Sequence, residues 1–130
     1  KYNINMKIAQ LLEPRFNQTL ERLMSVETST STAFKLASIK EAVNKSLVNY
    51  DSARQEILIK LAAKDDKGIV VTDDNGLAVL DDDGYKKFSE AVNGLINIDI
   101  DLPTLTLEEL KDFRMTANEL IAIRGLFDNQ

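Results

Sequence analysis

Residues 33–63 read AFKLASIKEAVNKSLVNYDSARQEILIKLAA, and this stretch decides the fold. Its apolar residues recur at steps of three or four, the spacing of one helix face, and neither Gly nor Pro interrupts it. A helix of about 30 residues is roughly 45 Å long, which exceeds the width of a small domain. It must therefore pack antiparallel on a neighbouring helix, project outward or meet another chain, and we predict a helical hairpin. The apolar stripe consists of Leu36, Ile39, Val43, Leu47, Tyr50, Ala53, Ile57 and Leu61.

The residues before this helix supply the other arm of the hairpin. Residues 1–5 alternate polar and apolar side chains, which predicts a short edge strand. Helical spacing then runs over residues 6–24, and Pro14 divides it because proline lacks an N–H and clashes with the carbonyl four residues back. We expect one helix to end near Leu12 and a second to start at Pro14. The polar residues 25–32 form the connecting loop. The candidate N-caps of the long helix are Thr30, Ser31 and Thr32.

The residues after the long helix predict a small sheet and shorter helices. Asn75-Gly76 separates two apolar runs, 69–72 and 77–80, and this dipeptide favours a β-hairpin turn of type I′. The other predicted elements are a helix over residues 85–96, a strand over 98–102, a single helical turn over 108–113 and a last helix over 117–126.

These elements indicate an α+β protein in which a long helical hairpin, mainly α, carries a small antiparallel β-hairpin or sheet and a short C-terminal helix. The length of 130 residues predicts a single domain, residues 1–130. Residues 1–63 would form the helical hairpin, and residues 64–130 would hold the β-hairpin, a helix, a strand and the C-terminal helix. We find no internal repeat in the sequence.

Composition excludes several kinds of chemistry. The chain has no Cys, His or Trp, so disulfides, Cys/His zinc sites and histidine-based nucleophilic catalysis are absent. No apolar run is long enough to span a bilayer, and we expect neither a signal peptide nor a cofactor. Residues 64–130 carry fifteen acidic and seven basic side chains, which disfavours nucleic acid and suits a basic surface on a partner.

A basic helix face is the one feature that favours nucleic acid. It consists of Lys35, Lys40, Lys45 and Arg54. Acidic residues such as Glu41 and Glu56 interleave with these side chains, and this mixture is typical of a solvated helix surface.

Seven aspartates lie between residues 65 and 83 and form the candidate site for a hard cation. An EF-hand alignment places Val71 or Val79 at the first ligand position, so that motif does not fit. We favour the simpler interpretation, in which these aspartates form turns and place negative charge at a helix N-terminus. The alternative function is a divalent-metal-dependent or carboxylate-based hydrolase that uses these turns. The weak metal-ligand candidates are Asp73, Asp74, Asp81 and Asp82.

The order of features resembles a family of small proteins encoded by tailed bacteriophages, a domain of unknown function. The segments that carry the resemblance are Phe34-Lys35-Leu36-Ala37, Tyr50-Asp51-Ser52-Ala53-Arg54-Gln55-Glu56, Lys64-Asp65-Asp66-Lys67-Gly68, Asp74-Asn75-Gly76, Ile98-Asp99-Ile100-Asp101-Leu102-Pro103 and Thr116-Ala117-Asn118-Glu119-Leu120. The resemblance covers most of the chain. It implies a viral protein that acts in the cytoplasm of an infected bacterium or in the virion, and it brings no catalytic residues.

We therefore expect a non-enzymatic protein that works through protein–protein interaction. It would act as a component of the virion or its assembly, or as an inhibitor of a host defence protein. The partner would be a host or phage protein, with a homo-oligomer as a further expectation, and neither nucleic acid nor membrane. The predicted interaction residues are Leu120, Ile121, Ile123, Leu126, Phe127 and Tyr50.

Overall fold

The structure is a computed structural model that describes the backbone of residues 4–127 and the side chains of residues 6–127. Residues 1–3 of the predicted edge strand lie outside the described residues. The elements are β1 (Ile4–Lys7), α1 (Ile8–Leu11), α2 (Pro14–Met24), α3 (Thr30–Leu61), α4 (Asp82–Ile96), β2 (Asp99–Leu102), α5 (Leu107–Leu110), α6 (Ala117–Ala122) and a 3₁₀ turn (Arg124–Leu126).

The α+β class with a long helical hairpin is confirmed. The chain divides into two compact units, and α3 contributes residues to both. Unit 1 consists of Lys1–Leu47 with Ile98–Gln130, and unit 2 of Val48–Asn97. These bounds differ from the division at residue 63 that the sequence suggested, and the single domain stays a prediction. None of the helices within residues 4–127 is both long and apolar enough to cross a membrane.

The two arms of the hairpin in unit 1 are α2 and the first half of α3. Pro14 occupies the first turn of α2, where its missing N–H costs no helical hydrogen bond. The side chain that caps α3 is Ser29, one residue before the first predicted candidate, Thr30. Ser29 Oγ accepts from the backbone N–H of Thr32 at 3.3 Å. An ion pair between Lys40 Nζ and Glu21 Oε2, 2.5 Å apart, joins the two arms.

Unit 1 also holds the sheet and the core. β1 pairs antiparallel with β2, with Ile4 opposite Leu102 and Lys7 opposite Asp99. Among the described side chains seventeen apolar residues are buried, and fifteen of them belong to unit 1. The largest include Phe16 from α2 and Met6 from β1. The short elements α1, α5 and α6 thus have a core to dock on, which isolated helices of four to six residues require.

Unit 2 contains the region for which the sequence predicted a hairpin with a type I′ turn, and the predicted turn type is wrong. Type I′ needs positive φ at both central residues, but of Asn75 and Gly76 only the glycine has it. Asp73 N–H instead donates to Leu77 O at 2.8 Å, and Gly76 N–H donates to Asp73 O at 3.0 Å. Pairing is limited to isolated bridges, such as Thr72 with Ala78, so the runs 69–72 and 77–80 are not continuous strands.

The same turn also occurs eight residues earlier in the chain, at Asp65. The prediction that the sequence has no internal repeat is therefore wrong. Oδ1 of Asp65 and Oδ1 of Asp73 each accept from the backbone N–H groups two and four residues later, at 2.8–3.0 Å. Gly68 and Gly76 close the two turns with the same φ of 78°. A third aspartate, Asp81, follows at the same spacing and caps α4 by accepting from Gly84 N–H at 2.6 Å.

A ring of three backbone hydrogen bonds joins the repeats. Ala63 N–H donates to Val79 O at 2.8 Å, Val79 N–H to Val71 O at 3.0 Å, and Val71 N–H to Ala63 O at 2.8 Å. The three residues are eight positions apart, so each repeat contributes one donor and one acceptor. This cyclic arrangement explains why the segment pairs its backbone groups without building a two-stranded ribbon.

Candidate protein-interaction surface

A groove of about 930 Å³ runs along unit 1 between the start of α2 and the α6 region. Residues around the α1–α2 junction form one wall, and α6 with the 3₁₀ turn forms the other. The lining side chains are both apolar and polar. They belong to Gln10, Glu13, Pro14, Arg15, Phe16, Gln18, Ile121, Ala122, Arg124 and Gly125.

Local sequence explains why this groove exists. Pro14 forces a break between α1 and α2, so the chain turns at one wall. At the other wall α6 ends at Ala122, and the chain tightens into the 3₁₀ turn. Gly125 lies against β1, since a Cβ there would be 3.0 Å from Met6 side-chain atoms. A larger residue than glycine would push this wall outward.

An ion pair fixes α6 against α2. Arg22 Nε and Glu119 Oε2 are 2.5 Å apart, and Arg22 Nη2 donates to Glu119 Oε1 at 3.0 Å. Glu119 also completes a capping box with Thr116, whose side chain accepts from the Glu119 N–H. The hydrogen bond from Arg22, followed by that from the Thr116 N–H, holds the pKa of Glu119 below its ordinary value of 4.5. The Glu119 carboxylate is therefore charged and holds α6 in position against α2.

A second ion pair fixes α5 in the same way. Lys35 Nζ on α3 lies 2.8 Å from Glu109 Oε2, and Glu109 forms a capping box with Thr106. Burial raises the pKa of Glu109, but the hydrogen bonds from Lys35 and Thr106 together lower it by more. The pKa of Glu109 therefore lies below its ordinary value of 4.5. Because Lys35 is paired with Glu109 and Lys40 with Glu21, two of the four residues of the predicted basic helix face are neutralised.

Two arginines give the groove its charge. Arg15 and Arg124 are exposed, and neither forms an ion pair within the described part of the chain. Glu13, at the junction of α1 and α2, is also exposed and forms no ion pair with the described residues. Guanidinium groups without an internal carboxylate are free to bind an external one in bidentate fashion. The sequence pattern did not single out these side chains, because their lack of partners is a property of the folded chain.

An apolar patch continues from the groove. It consists of Leu120, Ile121 and Phe127, which line a shallow depression of about 190 Å³ together with Arg124. Ile121 is 66% exposed and Leu120 is 36% exposed. The structure thus brings together three of the six predicted interaction residues at one surface.

The other three predicted interaction residues lie elsewhere. Ile123 and Leu126 have no exposed surface and belong to the core of unit 1. A fully buried side chain cannot contact a partner while the fold is intact, so both are withdrawn from the predicted set. Tyr50 is half-buried on α3 within unit 2. Helical spacing alone could not predict that Ile121 is exposed and Ile123 is buried, because α6 ends between them.

The candidate metal ligands are not gathered into a site. Asp73 uses Oδ1 in its turn, and Asp81 uses Oδ1 to cap α4. Asp74 and Asp82 are exposed. Within the described residues no group of three or more acidic side chains converges as metal ligands would. The Asp-rich turns are therefore accounted for by backbone hydrogen bonding.

Comparison of the chain with protein-family models, with curated proteins and with solved structures finds no match. The resemblance to small tailed-bacteriophage proteins consequently stays a prediction.

Proposed function

We propose that this chain is a non-enzymatic, phage-encoded protein that acts by binding another protein. It would serve as a virion or morphogenesis component, or as an inhibitor of a host defence protein. The observation that carries the proposal is the exposed surface of unit 1, where Leu120, Ile121 and Phe127 adjoin a groove flanked by Arg15 and Arg124. Exposed apolar anchors next to arginine are typical of the side chains that dominate binding energy at protein interfaces.

The state of the carboxylates supports binding rather than acid–base catalysis. A general acid of this type is usually desolvated so that its pKa rises towards neutrality. The only buried polar side chains among residues 6–127 are Thr19 and Thr32. The two carboxylates with altered pKa values, Glu109 and Glu119, are shifted downward and are used in ion pairs. Both are therefore poor proton donors at neutral pH.

The chemistry of the groove indicates which partner segment would fit. An acidic side chain of the partner would pair with Arg15 or Arg124, and its apolar neighbours would cover Ile121. Glu13 on the same wall would repel a second acidic group placed beside it. A segment with one carboxylate among apolar side chains satisfies both conditions.

The test is affinity capture from lysates of the host bacterium, infected and uninfected, with the wild-type chain and three variants. Ile121→Glu and Arg124→Glu alter the groove, and Leu107→Glu is the matched control because Leu107 is 71% exposed in unit 1 outside it. We expect wild type and Leu107→Glu to retain a partner that both groove variants lose. Equal retention by all four proteins, or capture of nothing by any, would contradict the proposal.

The source of the captured partner separates the two roles. A partner found only in infected cells indicates a virion or assembly component. A partner present in uninfected cells indicates a host target.

A further inference from the structure

The chain contains two Asn-Gly dipeptides, Asn75-Gly76 and Asn93-Gly94. The backbone nitrogen that follows an asparagine can attack the carbon of the asparagine side-chain amide and close a five-membered ring. Glycine after the asparagine favours this attack, because it has no Cβ to obstruct the approach and its backbone rotates freely. The two dipeptides have the same sequence but lie in different structures, so the fold determines which of them reacts.

Asn75 lies in the turn of Asp73, at the surface of unit 2. Asn75 and Gly76 are both exposed, Gly76 has a φ of 78°, and a Cβ on Gly76 would have nothing within 4 Å. The side-chain amide of Asn75 forms no hydrogen bond with the described residues. Neither packing nor a side-chain hydrogen bond therefore holds the Asn75 amide away from the Gly76 nitrogen.

Asn93 lies near the end of α4, and there the helix prevents the attack. Crowding does not distinguish the two sites, since Asn93 is also exposed and a Cβ on Gly94 would also have nothing within 4 Å. In a helix, however, each side chain is tilted toward the N-terminus, away from the nitrogen that follows it. Asn97 Nδ2 donates to Asn93 O at 2.8 Å and fastens the last turn. Ring closure at Asn93 thus requires that α4 unfold locally.

Asp73 restrains the reaction at Asn75 without preventing it. Gly76 N–H donates to Asp73 O at 3.0 Å, and Asp73 Oδ1 accepts from the N–H groups of Asn75 at 2.8 Å and Leu77 at 3.0 Å. The Gly76 nitrogen must leave its hydrogen bond before it can attack, so the turn must open first. Exposed turns of this kind open locally at a small free-energy cost, whereas the interior of a helix does not.

We propose that Asn75 is a site of spontaneous deamidation in the folded protein, that Asn93 is protected, and that the turn of Asp73 sets the rate. Hydroxide removes the amide proton of Gly76, the Gly76 nitrogen bonds to Asn75 Cγ, and the Cγ–Nδ2 bond breaks. The departing nitrogen takes a proton from water and leaves as ammonia, which regenerates hydroxide. Water then opens the succinimide ring at either carbonyl and leaves aspartate or isoaspartate at position 75.

The products alter the acidic turn in two ways. Both aspartate and isoaspartate add a negative charge beside Asp73 and Asp74. Isoaspartate also routes the main chain through Cβ and Cγ, which lengthens the chain by one carbon and displaces Leu77 N–H from Asp73 Oδ1. The isoaspartate form should therefore lose this turn. Neither Asn-Gly dipeptide lines the groove of unit 1, so this chemistry is independent of the binding proposed for that groove.

The first test is incubation of the folded full chain at neutral pH, followed over time by peptide mass spectrometry. Tryptic cleavage separates the two sites, because residues 68–86 contain Asn75 and residues 88–111 contain Asn93. We expect the Asn75 amide to be lost at least about tenfold faster than the Asn93 amide, a factor that corresponds to about 1.4 kcal/mol in the free energy of local opening. In urea the two rates should converge. Equal rates in the folded protein, or loss at Asn75 only in urea, would overturn the proposal.

The second test uses Asp73→Ala and Asp74→Ala as a matched pair. Each variant removes one carboxylate near Asn75, but only Asp73 Oδ1 accepts hydrogen bonds in the turn. Asp73→Ala should speed the loss of the Asn75 amide about fivefold, which corresponds to about 1 kcal/mol. Asp74→Ala should change this rate by less than about twofold. The rate at Asn93 should be the same in both variants and in wild type. Equal acceleration by the two variants, or by neither, would contradict the control by Asp73.

Discussion

Arg22 and Glu119 are 97 positions apart in the sequence, and two hydrogen bonds join their side chains. Arg22 Nη2 also donates to Arg114 O at 2.8 Å, so a single side chain holds both α6 and the loop that precedes it. This link positions the six-residue helix that carries Leu120 and Ile121. The exposed patch of unit 1 therefore depends on a long-range ion pair as well as on the core beneath it.

Glu119→Gln should weaken the docking of α6 and introduce no clash, because glutamine keeps the shape and can still accept from Thr116 N–H. The lowered pKa of Glu119 means that the ion pair stabilises the fold fully above pH 4.5, and that this stability is lost as pH falls through the lowered pKa. We expect the urea midpoint of the variant to be lower at pH 7. The difference from wild type should shrink below pH 4.5. A difference that stays constant down to pH 2 would show that the charge is not involved.

Gly84 and Gly94 are a matched pair within α4, since one is enclosed and the other is open. A Cβ at Gly84 would be 3.1 Å from Asp81 Oδ1 and 3.2 Å from Leu61 O, whereas Gly94 has nothing within 4 Å. Gly84→Ala should destabilise the chain by about 1–3 kcal/mol despite the better helix propensity of alanine. Gly94→Ala should stabilise it by about 0.5–1 kcal/mol. Thermal unfolding of both variants checks the sign, and stabilisation by both would contradict the close approach at Gly84.

Asp73 and Asp74 are adjacent but differ in role. Oδ1 of Asp73 accepts two backbone hydrogen bonds, while Asp74 is exposed and outside this network. Asp73→Ala should lower stability by about 1 kcal/mol, and Asp74→Ala should change it by less than about 0.5 kcal/mol. Amide hydrogen exchange at residues 75 and 77 locates the effect. Equal protection in the two variants would argue against the turn described for this repeat.

Calcium or magnesium at millimolar concentration should leave the unfolding temperature unchanged, because Asp73 and Asp81 use their Oδ1 atoms in backbone hydrogen bonds. A rise in unfolding temperature that disappears when Asp73, Asp74, Asp81 and Asp82 are replaced by Asn would contradict this account. Such a result would favour the metal-dependent hydrolase.

The periodicity of the sequence was enough to predict the long helix and the hairpin, because a stripe such as Leu36, Ile39 and Val43 specifies both helix and buried face. It could not predict the turns of unit 2. Asn75-Gly76 suggested a local type I′ turn, but the three-way bonding of Ala63, Val71 and Val79 selected another geometry. Hydrogen bonds between residues eight and sixteen positions apart determine the conformation of this segment.

The candidate surface was predictable only in part, for a related reason. Ile121 and Ile123 look alike in the sequence, and their different burial follows from the point at which α6 gives way to the 3₁₀ turn. Arg15 and Arg124 gain their role from having no ion-pair partner in the described residues, while Arg22 has one. Such selective pairing depends on distances that exist only after folding.

The most direct measurement of the central claim is the equilibrium affinity of the captured partner for wild type, Ile121→Glu and Leu107→Glu. An apolar anchor at the centre of an interface contributes about 2 kcal/mol or more, which corresponds to about 30-fold in Kd. We predict at least this loss for Ile121→Glu and wild-type affinity for Leu107→Glu. Indistinguishable affinities for all three proteins would show that this surface of unit 1 does not bind the partner.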